Sequence, residues 1–191
     1  MINEIHALIQ ESVAVNQALL GDAAVIEQIA HEIAQAFKSG HKVLLLGNGG
    51  SAADAQHVAA ELVGRLAARE RPAWPALALT TNTSILTAVS NDYGFDHVFE
   101  RQVQAFAASG DVVVGISTSG NSKNVIVAVQ AARQRGCRTI AFTGQSGGRL
   151  KSEADCCLSV ASDSTPRIQE AHILAWHIIC ELVEREMTGQ P

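Results

Sequence analysis

Five short apolar runs, each followed by a stretch with helical spacing, set the tightest limit on how this chain can fold. The runs are KVLLLG from Lys42, PALALT from Pro75, DVVVGIST from Asp111, RTIAFTG from Arg138 and CCLSV from Cys156. Most are nearly continuous in apolar residues instead of alternating, which marks strands buried on both faces. Right-handed crossover helices between parallel strands bury a sheet in this way. The expected fold is α/β, a three-layer doubly wound sheet of five parallel strands. A chain of 191 residues with 47% apolar content fills one substantial core and not two, so residues 1–191 are read as one domain. Aromatics at 4% suit helices packed on a sheet better than an aromatic-rich β-sandwich.

Two amphipathic helices precede the first strand. Ile5, Leu8, Ile9 and Val13 carry the first stripe, and Val25, Ile26, Ile29, Ile33 and Phe37 the second, with Gly21-Asp22 between them. Ser39-Gly40 ends the second. This extension, residues 1–39, either covers the sheet or joins another subunit. A long amphipathic helix from about Thr165 to Met187 closes the chain. A formal net charge of -5 argues against broad phosphate neutralisation, so nucleic acid is not an expected partner. Charged residues interrupt every apolar stretch before it reaches the roughly 18 to 20 residues of a membrane span, so no membrane partner is expected. The N-terminus lacks a basic segment followed by an apolar one, so the expected compartment is not secretory. Cys137, Cys156, Cys157 and Cys180 lack CxxC spacing and read as reduced core residues, with Cys156 and Cys157 on opposite faces of a strand.

Ligands of open parallel sheets collect beyond the carboxyl ends of the strands, which singles out two loops. After KVLLL come Gly47, Asn48, Gly49, Gly50 and Ser51, a match to the GxGxxA dinucleotide pattern. A dinucleotide site also expects an acid after the second strand, and PALALT runs instead into Thr81-Asn82-Thr83. After DVVVGI come Ser117, Thr118, Ser119, Gly120, Asn121 and Ser122 at a predicted helix start. Hydroxyls, backbone N–H groups and the helix dipole together suit a phosphate. Asn121 occupies the place of the P-loop lysine, which disfavours an NTPase.

His57 and Glu61 stand four residues apart on the helix that opens at the glycine loop, one face and metal-ligand spacing. On the last helix Gln169 and His177 lie about 12 Å apart along the axis and about 80° around it, so they share one ion only by reaching towards each other. Spacing alone leaves ligation level with a polar helix or subunit interface for Gln169, His172 and His177. Arg65, Arg167 and Glu170 either serve a substrate or solvate their helices.

Taken together, GNGGSAADAQHVAAELVGR from Gly47, SND at Ser90 to Asp92, GISTSGNS from Gly115, and RIQEAH from Arg167 with His177 beyond it resemble the sugar isomerase (SIS) fold. More narrowly, they resemble the sedoheptulose-7-phosphate isomerase, or phosphoheptose isomerase, family, over nearly the whole chain. The resemblance implies a flavodoxin-like strand order and a cytoplasmic homotetramer whose sites lie where subunits meet, giving residues 1–39 a role in assembly. It implies conversion of sedoheptulose 7-phosphate, a phosphorylated seven-carbon sugar, to D-glycero-D-manno-heptose 7-phosphate for lipopolysaccharide heptose. Asn48, Gly49, Gly50, Asn91, Asp92, Ser117, Thr118, Ser119 and Ser122, with Glu61 and Gln169, match substrate-binding positions. His57, Glu61, Gln169 and His177 match the ligands of one zinc ion per subunit.

Moving a carbonyl from C2 to C1 takes a proton from C1 and returns one to C2 through an enediol, work suited to a carboxylate and an imidazole. Glu61 and His177 are the expected acid–base pair. Two rivals remain at this level: a non-catalytic SIS protein that binds the replication initiator DnaA, and an isomerase of another phosphosugar. The first has no need of the His/Glu set that this chain carries.

Overall fold

The computed structural model describes residues 1–67 and 70–189. Among them, β1 (Val43–Gly47), β2 (Ala76–Ala78), β3 (Val112–Ser117), β4 (Arg138–Thr143) and β5 (Cys156–Ser159) form one sheet in the order β2-β1-β3-β4-β5, every pair parallel. The chain leaves β1 towards β2 and then returns to β3 on the other side of β1. Crossovers departing in opposite directions open a crevice over the carboxyl ends of β1 and β3. The β1–β3 register runs from Val43 opposite Val112 to Gly47 opposite Ile116, so the loops that follow the two strands emerge side by side.

The helices are α1 (Ile2–Ala18), α2 (Ala23–Lys38), α3 (Gly50–Val63), α4 (Thr83–Tyr93), α5 (Glu100–Phe106), α6 (Lys123–Gln134), α7 (Leu150–Glu153) and α8 (Thr165–Thr188). Alternation along each strand divides the core in two. Val43 and Leu45 face a cluster built with Ile29 and Ile33 of α2, Val58 and Leu62 of α3, and Trp176 and Ile179 of α8. Leu44 and Leu46 face another, built with Val103 of α5, Val125 and Val129 of α6 and Leu150 of α7. The three expected layers are therefore present. Phe142 of β4 stacks on Trp176, ring centroids 4.5 Å apart, which seats α8 against β4.

Several elements differ from the sequence reading. The run PALALT yields a strand of three residues, because β2 is an edge strand paired on one side only. The stretch before β3 divides into α4, capped by Asn82 accepting from the Ile85 N–H, a 3-10 turn at Phe95–His97, and α5. In α5 only Gln102 and Val103 are buried, too few for a recognisable stripe. The first two helices also part company. α2 covers the sheet, whereas α1 buries none of its residues. Arg167 donates to the Leu8 carbonyl and to Glu170, and Ser12 donates to Glu170, so both polar residues tie α1 to α8.

Cys156 packs in one layer and the half-buried Cys157 borders the other, on opposite sides of β5, and the cysteines are free. Among the described residues, no helix is long and apolar enough to cross a membrane. At the amino ends of the strands the buried Asp111 accepts from the Lys42 ammonium at 2.6 Å and from the Lys42 and Ala108 N–H groups. Burial pushes its carboxyl up, but these donors outweigh burial and hold it below the usual range.

Candidate active site

Two loops frame the crevice, and paired amides join them. Asn48 Nδ2 donates to Asn124 Oδ1 and Asn124 Nδ2 donates to Asn48 Oδ1, both at 2.9 Å, while Asn124 Oδ1 also accepts the Val125 N–H. Asn124 lies in the first turn of α6 and is only 3% exposed. Each amide therefore holds the other, and one N–H remains on Asn48 Nδ2 for anything in the crevice.

The serine loop closes tightly over the α6 N-terminus. Ser117 and Ser122 share a hydrogen bond at 2.9 Å, and Ser119 Oγ accepts the Asn121 N–H at 3.2 Å. Gly120 turns the chain at φ +66°, and a Cβ there would lie 2.1 Å from the Gly147 carbonyl oxygen, so only glycine fits. Hydroxyls and amides are thereby collected at the start of a helix of 12 residues. The adjacent Lys123 pairs with Asp96 at 2.5 Å. An anion here meets neutral donors and a helix dipole.

Beside the loops, α3 and α8 bring three of the four candidate ligands into contact. His57 Nε2 lies 3.0 Å from His177 Nε2 and 3.4 Å from Glu61 Oε1, with the two rings edge to face. The side chain of Glu61 is 16% exposed and that of His57 47%. Two nitrogens bound to one tetrahedral zinc ion stand about 3.3 Å apart, so the facing imidazoles have nearly ligand spacing, and nitrogen and carboxylate donors suit that metal. Closure is incomplete: among the described residues, no group of three or more His, Cys, Asp or Glu side chains forms a metal cage. Gln169 lies against Gly50 at the opening of α3, where a Cβ would come 2.4 Å from its Nε2. Asp54, one turn before His57, has a carboxyl pushed up by burial and pulled back by His57, and its Oδ2 has no partner among the described residues.

A model of the SIS domain matches residues 9–144. The phosphoheptose isomerase of Citrifermentans bemidjiense is 57% identical over 98% of this chain and 97% of its own length. That of Clostridium acetobutylicum is 50% identical over 100% of this chain and 98% of its own. The solved structure of phosphoheptose isomerase GmhA from Neisseria gonorrhoeae aligns with a TM-score of 0.90 at 45% identity, covering 96% of this chain and 99% of that one. This chain belongs to the phosphoheptose isomerase family. The SIS match takes in both loops and α3 and stops short of α8. The likeness to phosphoheptose isomerases runs on through α8, which carries Gln169 and His177.

Two residues matched to the phosphoheptose isomerase site make no hydrogen bond to the others among the described residues. Asn91 and Asp92 are exposed at the end of α4 and hydrogen-bond to each other at 2.8 Å. Sequence reasoning missed Asn124 and the buried pair Arg71 and Glu184. Asn124 followed the serine loop and was readable as a helix-start residue, but its partner is 76 positions away. Nothing in the spacing of Arg71 and Glu184 distinguishes them from surface charges.

Proposed function

We propose that this chain is an aldose–ketose isomerase that converts sedoheptulose 7-phosphate to D-glycero-D-manno-heptose 7-phosphate through an enediol. The observation that carries this reading is the contact chain Glu61–His57–His177 beside a hydroxyl-lined helix start. An anion grip alone would serve a binder, whereas a carboxylate and imidazoles next to it supply proton transfer.

In this reading the phosphate lies on the α6 N-terminus, where Ser117, Thr118, Ser119 and Ser122 bind it. Residues 48 to 50, Gln169, Asn91 and Asp92 bind the sugar, the last two within an assembly of subunits. One of Glu61 and His177 removes the C1 proton and the other protonates C2, each step contributing about 10²- to 10⁴-fold. His57 and His177 fit zinc in kind and nearly in spacing, and Glu61 and Gln169 fit in kind, so these four would hold the ion. When bound, zinc stabilises negative charge on the carbonyl and enediolate oxygens. The exposed apolar stripe of α1, Ile2, Ile5, Leu8, Ile9 and Val13, supports a homotetramer. The cytoplasm and the supply of lipopolysaccharide heptose complete the proposal.

The test is incubation with sedoheptulose 7-phosphate and, separately, other ketose phosphates, with zinc or with chelator, followed by NMR of the aldose. Turnover of the seven-carbon sugar that zinc restores after chelation is expected. No turnover under any metal condition contradicts the isomerase reading, and turnover of another ketose phosphate alone corrects the substrate.

A further inference from the structure

Behind the His57–His177 contact lies an ion pair that the proposed chemistry does not use. The side chains of Arg71 and Glu184 are 1% and 5% exposed, and Arg71 Nε donates to Glu184 Oε1 at 2.9 Å. The rest of the guanidinium is engaged. Nη1 donates to the Leu62 and Pro72 carbonyls, Nη2 donates to the Glu61 carbonyl, and the plane lies over Trp74 at 3.8 Å. Glu184 also accepts the Leu66 and Ala67 N–H groups, both at 2.9 Å.

Such a pair is a poor device for stability alone. Desolvating two charges costs free energy, and apolar residues of similar volume in both places are often neutral or stabilising. What the pair supplies is direction. The planar fork of Arg71 takes hold of the last-turn carbonyls of α3, including that of Glu61 itself. Glu184 follows His177 by seven residues, two turns along the same face of α8. A closed ring results: Glu61 to Arg71, Arg71 to Glu184, along α8 to His177, and across to His57 on α3.

We propose that Arg71 is a positioning residue. Clamped by Glu184, it holds the end of α3 at the distance from α8 at which Glu61, His57 and His177 meet. The proposal rests on the reading of Glu61 and His177 as the acid–base pair, and the ring geometry is testable apart from it.

Two variants keep the fold within reach. Arg71→Lys retains a charge opposite Glu184 but loses the fork, and the paired Arg71→Met/Glu184→Leu leaves neither charge orphaned. Histidine-labelled protein is examined by NMR, with folding checked by circular dichroism. The ring signals of His57 and His177 are expected to shift while those of His41 and His97 stay. With sedoheptulose 7-phosphate, kcat is expected to fall about 10- to 100-fold with KM within about threefold, as for a small misplacement of reacting groups. A merely structural role would lower the folded fraction without moving those signals in the folded protein. Unmoved His57 and His177 signals in a folded variant overturn the proposal, as does a wild-type kcat with shifted signals. Absence of turnover in the wild type counts against the isomerase reading alone, and the histidine signals then decide.

Discussion

Asn48 and Asn124 show how the crevice is made rigid one side chain at a time. Each amide satisfies the other, so removing one leaves a donor and an acceptor of its partner unpaired, at a cost of about 1–3 kcal/mol. Asn124→Ala is expected to raise KM about tenfold with a smaller change in kcat, because both loops lose their shared anchor. In a double-mutant cycle with Asn48→Ala the two losses should be far from additive. Additive losses in steady-state kinetics would mean that the pair does not act as a unit. His57 and Glu61 were legible in the sequence because a spacing of four on a helix needs no knowledge of the fold. Asn124, Arg71 and Glu184 were not, since their partners are supplied by chain crossing and burial.

Among the elements, the first turn of α3 and the loop before α6 make opposite demands on glycine. A Cβ at Gly50 meets only the mobile end of Gln169, so Gly50→Ala should fold with stability within about 1 kcal/mol while pushing Gln169 aside and weakening retention of the proposed zinc. Gly120→Ala meets a backbone carbonyl in a left-handed conformation, and calorimetry should show a loss of more than about 2 kcal/mol. A second test concerns the seam between α8 and β4. The buried His172 donates from Nε2 to the Thr143 carbonyl at 3.1 Å, and its Nδ1 has no partner among the described residues. Burial pushes its pKa down to about 4, against only a small upward pull from that carbonyl. The unfolded chain, with histidine near 6.5, then binds the extra proton between those values. Stability is full above about pH 6.5 and falls by about 3 kcal/mol as the pH drops towards 4. His172→Gln should flatten this limb of a plot of Tm against pH, and an unchanged limb would assign the acid loss to other groups. Strand and helix order was legible because apolar runs and helical stripes are local signals. The short α5 and the clipped β2 were not, because a polar helix and an edge position depend on neighbours.

At the scale of the whole molecule, the parallel sheet followed from five apolar runs and its strand order from the family resemblance, and together they place the two loops side by side before any side chain is considered. The surface of α1 points further, to assembly. Ile5→Glu with Ile9→Glu should leave the fold intact and abolish the proposed tetramer in light scattering, and a tetramer that survives would remove α1 from the proposed interface. The central claim is that Glu61 and His177 perform proton transfer on a phosphorylated ketose held at the crevice. NMR of the aldose formed from sedoheptulose 7-phosphate by zinc-loaded wild type, Glu61→Gln and His177→Ala measures it most directly. The expected result is steady aldose formation by the wild type and a loss of at least about 10²-fold in each variant with the fold retained. No aldose from the wild type, or a wild-type rate in either variant, would contradict it.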